Sequence, residues 1–234
     1  MKQLRMRLTD ELVARVPVWR EDESIGPMPD GARFATDADH DAIVAGLMAD
    51  APAGDVWVFA YGSLIWNPGF DFVERRGALV RGWHRSFCLG WDMWYRGCPP
   101  RPGLMLALDR GGSCKGLAFR LPPDAVAKNL GALSRREVLI LPHPFPPRWI
   151  EINCEGGPLR AITFVIDRKS NSYLGSRSSE EVADILSVAA GRAGSMAEYL
   201  FQTVTRLEEM GLHDTRLWRL QEMVAERIEA AARA

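Results

Sequence analysis

The chain has 234 residues, of which 47% are hydrophobic and 25% charged, and its net charge is −1. Its 29 Lys and Arg residues are balanced by 30 Asp and Glu residues, which argues against an electrostatic nucleic-acid binder, because such proteins carry a basic excess. This composition is typical of a folded globular protein and excludes a disordered one.

Signals for metal binding, export and membrane insertion are absent from the sequence. The four cysteines form no CxxC pair, so neither a zinc site nor a disulfide framework is predicted. The basic N-terminus lacks the apolar stretch of a signal peptide, and no apolar run approaches the ~20 residues of a membrane span. We therefore expect a cytoplasmic protein with no metal or other cofactor, no nucleic-acid partner and no membrane contact.

Residues 1–54 are predicted to form a helical and loop extension that precedes a main domain at 55–234. Helical patterns cover Thr9–Val16 and Thr36–Met48, and the second pattern opens with a Thr and an Asp spaced to cap it. Ala51–Gly54, rich in small residues and proline, marks the predicted boundary.

The centre of the chain has the spacing of β-strands separated by turns. Its first strand is a short, continuously apolar run that ends abruptly in Gly-Ser. The strands are predicted at Val56–Tyr61, Ala78–Leu89 with a break at Gly82, Leu104–Leu108, Gly116–Leu121, Trp149–Asn153 and Ala161–Ile166. The third and fourth are predicted to pair as a hairpin through a turn at 109–113.

Helices follow or interrupt these strands. Asp124 is predicted to cap a helix that has one apolar face and Glu137 near its end. Capping boxes beginning at Ser178 and Ser195 start two more helices, of which the first is predicted to end at Gly191, and an apolar stripe at 217–228 indicates a last one. A helical extension, a β-rich centre and a helical tail favour an α+β fold over alternating βαβ units.

The end of the first strand, Phe59–Trp66, is the most unusual local feature. An apolar strand stops at Gly62 and Ser63, and the chain then continues apolar. Glycine allows backbone amides to approach a ligand closely, so this bend can hold a carboxylate or an oxyanion, and a tight bend in a barrel strand is the structural alternative. Ser63 is not part of a G-x-S-x-G motif, and no P-loop spacing is present.

Arg135-Arg136-Glu137 is the second candidate feature. A carboxylate between arginines and the apolar run that follows can be partly desolvated, which would raise its pKa and make it a better proton acceptor. An ordinary solvated surface pair is the alternative.

Several blocks, in order along the chain, resemble the ChaC-like γ-glutamylcyclotransferases. They are Val58–Pro68, Arg81–Cys88, Arg101–Leu104, Gly111–Gly112, Arg135–Glu137, Tyr173–Gly175, Ala189–Ser195 and Glu198–Phe201. The resemblance extends from about Asp55 to Arg227, which is most of the chain.

The resemblance implies a small barrel-like α+β fold and the cyclising cleavage of γ-glutamyl amides, chiefly glutathione to 5-oxoproline and cysteinylglycine. It implies a small-molecule γ-glutamyl substrate and no cofactor. We also expect a monomer or weak homodimer. Glu137 would be the general acid and base, and Tyr173 would help to close the pocket. The substrate-holding loop would consist of Tyr61, Gly62, Ser63 and Leu64.

One stretch departs from the family pattern. Val138–Trp149 is rich in proline and slightly longer than the short Gly- and Tyr-containing loop that is usual there. Because this loop adjoins the expected base, a different γ-glutamyl amide is an alternative substrate. A non-catalytic binding or regulatory module, of the cation-transport regulator type, is the alternative from another class.

Overall fold

A computed structural model describes residues 5–16 and 26–233. The α-helices within them are α1 (Asp10–Val13), α2 (Asp37–Ala49), α3 (Val126–Glu137), α4 (Ser179–Leu186), α5 (Met196–Glu209) and α6 (Thr215–Ala231). The strands are β1 (Arg33–Phe34), β2 (Trp57–Ala60), β3 (Glu74–Asp92), β4 (Gly103–Arg120), β5 (Ile140–Leu141), β6 (Pro147–Cys154), β7 (Gly157–Phe164), β8 (Ala190–Gly191) and β9 (Gly194–Ser195). A short 3₁₀ helix covers Ser63–Ile65.

Five strands close into a barrel in the order β2-β4-β3-β6-β7. The short strand β2 completes it: Val58 is opposite Phe119 of antiparallel β4 and opposite Ile162 of parallel β7. All four residues of β2 are buried, as its continuously apolar sequence predicted. The predicted α+β barrel is therefore confirmed, and the chain leaves β2 at the Gly-Ser bend.

The predicted hairpin at 104–121 is wrong. Residues 109–113 lie inside the continuous strand β4, whose barrel neighbours are β2 and β3. Gly111 and Gly112 have φ values of 100° and 67°, so they bend the strand where they were predicted to end it. Gly82, with φ 79°, likewise lies within β3 and does not break it.

The predicted starts and ends of α3 and α4 are confirmed in part. Ser178 caps α4 in a full capping box with Glu181, but that helix ends at Leu186 and not at Gly191, which pairs in the β8–β9 ribbon. Asp124 does not cap α3: the N-cap is Ala125, without a side-chain hydrogen bond. Glu137 is the last residue of α3, close to where it was predicted.

The remaining predicted helix starts also hold, with smaller differences. Thr36 caps α2 in a capping box with Asp39, whereas the first helical pattern shortens to one turn, capped by Thr9. Ser195 accepts a hydrogen bond from the Glu198 amide at the start of α5, but the Glu198 carboxylate binds Arg96 and does not return to the cap.

Two compact units divide the chain. One contains α1, α4, α5, α6 and the β8–β9 ribbon, with α6 packed against α4 and α5. The other contains most of the barrel, with β3 up to Ser86 and β4 from Ala107, together with β1, α2, α3 and β5. Their ranges are Met1–Pro27, Phe87–Leu106 and Ser172–Ala234 for the first, and Met28–Ser86 and Ala107–Asn171 for the second. The predicted division after residue 54 stays a prediction.

The longest helix in the described part of the chain, α6, has 17 residues. None of the helices described has the length and apolarity needed to cross a bilayer.

Candidate active site

The bend after β2 converts a buried strand directly into a 3₁₀ turn. The Ile65 amide donates to the Gly62 carbonyl at 2.9 Å, and the Asn67 amide donates to the Ser63 carbonyl at 3.0 Å. The amides of Ser63 and Leu64 begin this turn, and the first amides of a helix have no partner within it. The bend therefore uses the Gly62 and Ser63 carbonyls within the turn but not the Ser63 and Leu64 amides, an arrangement that can hold an anionic group.

Arg85 fixes the strand end that leads into the bend. The Tyr61 side chain lies in the barrel core, and its carbonyl accepts a hydrogen bond from Arg85 Nε at 2.6 Å. Arg85 is only 6% exposed, and its Nη2 also donates to the Lys115 carbonyl of β4. One guanidinium on β3 thus joins the backbone at the end of β2 to that of β4.

Glu137 is held away from solvent at the C-terminal end of α3. Its side chain is 18% exposed, and burial raises its pKa above the ordinary value. Arg136 opposes that rise, because its Nε lies 3.0 Å from Glu137 Oε1. A carboxylate with a raised pKa is a better proton acceptor, so Glu137 has the environment of a general base.

Arg136 connects this carboxylate to the bend. Besides Glu137, its guanidinium donates to the Asn67 carbonyl and, at 3.5 Å, to Ser63 Oγ. Gly69 makes room for it: φ there is 69°, and a Cβ would lie 2.8 Å from Arg136 Nη1. The side chains of Glu137 and Ser63 are therefore both neighbours of one guanidinium.

The two arginines before Glu137 face different surroundings. Arg135 pairs at 3.0 Å with Asp37, and both side chains are about half exposed or more. That contact does not involve Glu137, so it is not the solvated Glu–Arg pair that was the alternative interpretation of this motif. Arg136, 24% exposed, is the arginine that belongs to the site.

Of the predicted site residues, Tyr61, Gly62, Ser63, Leu64 and Glu137 lie in one unit. The hydrogen bonds of Arg136 bring Glu137 and the Ser63 bend together there. Their catalytic roles stay predictions.

Tyr173 belongs to the other unit, where its loop runs antiparallel to the end of β3. Tyr173 forms an isolated antiparallel β-bridge with Leu89. The Gly90 amide donates to the Ser172 carbonyl, and the Leu174 amide donates to the Cys88 carbonyl. Its role in closing a pocket stays a prediction.

Arg85 and Arg136 are functional candidates that the sequence does not predict. Arg85 could have been found from alternation along β3, because Trp83 and Phe87 on either side put it on an apolar face. No sequence pattern distinguishes Arg136 from Arg135.

The proline-rich loop after Glu137 packs its own aromatic rings together and against strand β7. The His143 ring centroid lies 4.2 Å from that of Phe145 and 6.3 Å from that of Phe164. Burial lowers the pKa of His143 to about 4, so the imidazole is neutral at pH 7. Within residues 5–16 and 26–233, no three His, Cys, Asp or Glu side chains form a group that could hold a metal ion.

A family model described as ChaC-like protein matches residues 56–227. The chain belongs to the ChaC-like family. The match covers the barrel, α3 and the helical tail, including the Ser63 bend and Glu137, whereas β1 and α2 precede it.

Similar proteins fit this assignment. The chain is 34% identical over 174 residues to a glutathione-specific γ-glutamylcyclotransferase of Escherichia coli, with 74% of each chain covered. It is 29% identical over 168 residues to the human glutathione-specific γ-glutamylcyclotransferase 1, covering 67% of this chain and 71% of the relative. The crystal structure of a yeast γ-glutamyl cyclotransferase specific to glutathione has a TM-score of 0.66 at 20% identity, over 74% of this chain and 96% of that one, which shows the shared fold.

Proposed function

We propose that this chain is a γ-glutamylcyclotransferase that cleaves glutathione to 5-oxoproline and cysteinylglycine. The observation that supports it most strongly is the contact of Arg136 with both Glu137 and Ser63, which places a partly desolvated carboxylate beside the bend. Membership in the ChaC-like family, whose E. coli and human members carry this activity in their names, supports the choice of substrate.

Glu137 carries protons from the attacking nitrogen to the departing nitrogen in the proposed reaction. The substrate's α-amine is an ammonium at neutral pH, so Glu137 first removes a proton from it. The free amine attacks the γ-carbonyl carbon and a five-membered ring closes. Glu137 gives its proton to the departing nitrogen as the amide bond to cysteinylglycine breaks. The ring nitrogen loses its second proton in the same process, and that proton also goes to the departing amine, which leaves as an ammonium. General acid–base help of this kind contributes ~10²–10⁴-fold to a rate, and holding the γ-glutamyl arm in a folded conformation contributes through proximity.

The bend supplies the complementary binding site. The amides of Ser63 and Leu64 are suited to the α-carboxylate or to the oxyanion that develops on the γ-carbonyl. Tyr61 and Gly62 shape the approach to these amides. In this arrangement Arg136 is a positioning residue, because its guanidinium is already bound to Glu137 and to the Asn67 carbonyl.

The loop at Val138–Trp149 makes another γ-glutamyl amide the second candidate substrate. It begins directly after Glu137, where the leaving group departs, and it is proline-rich. A different shape on the leaving-group side of the pocket would change which γ-glutamyl amide fits. The cyclisation of the γ-glutamyl group would stay the same.

A substrate panel separates these candidates. Purified protein is assayed for 5-oxoproline release from glutathione, from γ-glutamyl amino acids and from γ-glutamyl amines. We expect glutathione to have the highest kcat/KM. Turnover confined to other γ-glutamyl amides would reassign the substrate, and ligand binding without turnover of any of them would favour the non-catalytic module.

The proposed reaction balances with proton transfers alone, so we expect it to need no cofactor. A cytoplasmic location and a monomeric or weakly dimeric state stay predictions from the sequence.

A further inference from the structure

We propose that residues 33–50, which precede the part of the chain matched by the ChaC-like family model, form a positioning element for Glu137, with His40 as its principal positioning residue. The proposal rests on the proposed function, because it explains how the acid and base of that reaction is held in place. Every contact that supports it lies within the unit that contains the barrel.

The first contact secures the chain just before Glu137. His40 of α2 is 7% exposed, and its Nδ1 lies 2.9 Å from Ser134 Oγ, also buried. Ser134 is three residues before Glu137, one helical turn away on α3, and its carbonyl accepts a hydrogen bond from the Val138 amide. His40 thus contacts the turn from which Glu137 projects.

The second contact secures the chain just after Glu137. The Ala35 amide donates to the Leu139 carbonyl at 2.9 Å. Strand β1 then pairs antiparallel with β5, with Phe34 opposite Ile140 and Arg33 opposite Leu141. Residues 33–40 therefore contact the chain on both sides of Glu137, through the Ser134 side chain before it and through the backbone of residues 139–141 after it.

The segment that makes these contacts is itself fixed at both ends. Arg33 Nη1 lies 2.6 Å from Asp39 Oδ2, and Asp39 completes the capping box with Thr36 at the start of α2. Near the other end of α2, the Leu47 carbonyl accepts a hydrogen bond from Trp149 Nε1 of barrel strand β6. A continuous set of contacts thus leads from the barrel through α2 to the last turn of α3.

A displacement of this segment would move the Glu137 carboxylate relative to the Ser63 bend. Catalysis is sensitive to such shifts, since a misplacement of ~1 Å can cost ~10²-fold in rate. The expected signature is a loss in kcat with little change in KM, because the bend that holds the substrate belongs to β2 and the 3₁₀ turn and does not include α2.

The test variant is His40→Leu, which keeps the side-chain bulk and removes the hydrogen bond. It is compared with the conservative variant His40→Asn. The control is Asp41→Ala, at an exposed position on the same helix. We expect His40→Leu to lower kcat for glutathione by about 10- to 100-fold with KM within about threefold. His40→Asn, whose amide can reach Ser134, should recover most of the rate, and Asp41→Ala should behave as wild type. A second test variant, Ala35→Pro, removes the amide that donates to the Leu139 carbonyl. It tests the same segment without altering the buried His40.

A titration of the Glu137 carboxyl carbon by NMR provides a readout that does not need turnover. We expect His40→Leu to bring the pKa of Glu137 down toward its ordinary value, because a displaced carboxylate becomes hydrated, and His40→Asn to preserve the raised value. An unchanged Glu137 pKa in both His40→Leu and Ala35→Pro would overturn the proposal, whatever the activity. Wild-type protein that turns over none of the substrates would instead overturn the proposed function.

Discussion

Glu137→Gln is expected to lower kcat for 5-oxoproline release from glutathione by ~10²–10⁴-fold. The amide is nearly isosteric with the carboxylate but cannot take the proton from the substrate's ammonium group or return it to the departing amine. The measurement is steady-state turnover, with Glu151→Gln, an exposed position on β6, as the matched control. Turnover by Glu137→Gln equal to that of the control would refute the role of Glu137.

Thermal unfolding of the same variant shows whether the fold is intact. Because burial raises the pKa of Glu137, the folded protein retains that proton to higher pH than the unfolded chain does. Stability contributed by this group is therefore greatest below its ordinary pKa of 4.5 and falls as pH rises through the folded pKa. Glutamine carries no charge to desolvate, so at pH 7 we expect an unfolding temperature no lower than that of wild type, with any gain disappearing below pH 4.5.

Arg85→Ala is expected to destabilise the fold by about 3–5 kcal/mol, since it leaves the buried Tyr61 carbonyl and the Lys115 carbonyl without this donor and opens a cavity between strands. Arg81→Ala, at an exposed position on the same strand, is the matched control and should change the free energy of unfolding by at most about 0.5 kcal/mol. Denaturant unfolding monitored by tryptophan fluorescence measures both.

Arg85→Lys tests whether the guanidinium geometry matters. A lysine ammonium is a compact point charge and cannot donate along two fixed directions as the planar guanidinium does. We expect a stability between those of wild type and Arg85→Ala, and lower turnover because the bend loses its support. Arg85→Ala as stable as Arg81→Ala would show that the bend does not depend on this contact.

The barrel could be predicted in outline because its strands have strong local patterns. The apolar run of β2 and the paired strands β6 and β7 follow from composition and alternation. The error at β4 arose because Gly111 and Gly112 look alike whether they end a strand or bend it. Which occurs depends on the neighbouring strands β2 and β3, and the residues next to the two glycines do not specify that pairing.

The candidate site was predictable only in part, for the same reason. Glu137 could be singled out from its charged and apolar neighbours. The contacts of Arg136 with Ser63, and of His40 with Ser134, join residues 73 and 94 positions apart. No local pattern encodes such contacts, which exist only once α3 is packed against the barrel unit's other elements.

Product analysis in water enriched in the heavy oxygen isotope tests the proposed ring closure most directly. Glutathione is incubated with the purified protein and the products are identified by mass spectrometry. We predict equal amounts of 5-oxoproline and cysteinylglycine with no heavy oxygen in either, because the substrate's own amine, and not water, attacks the γ-carbonyl. Free glutamate carrying one heavy oxygen atom would show hydrolysis and would contradict the proposed chemistry.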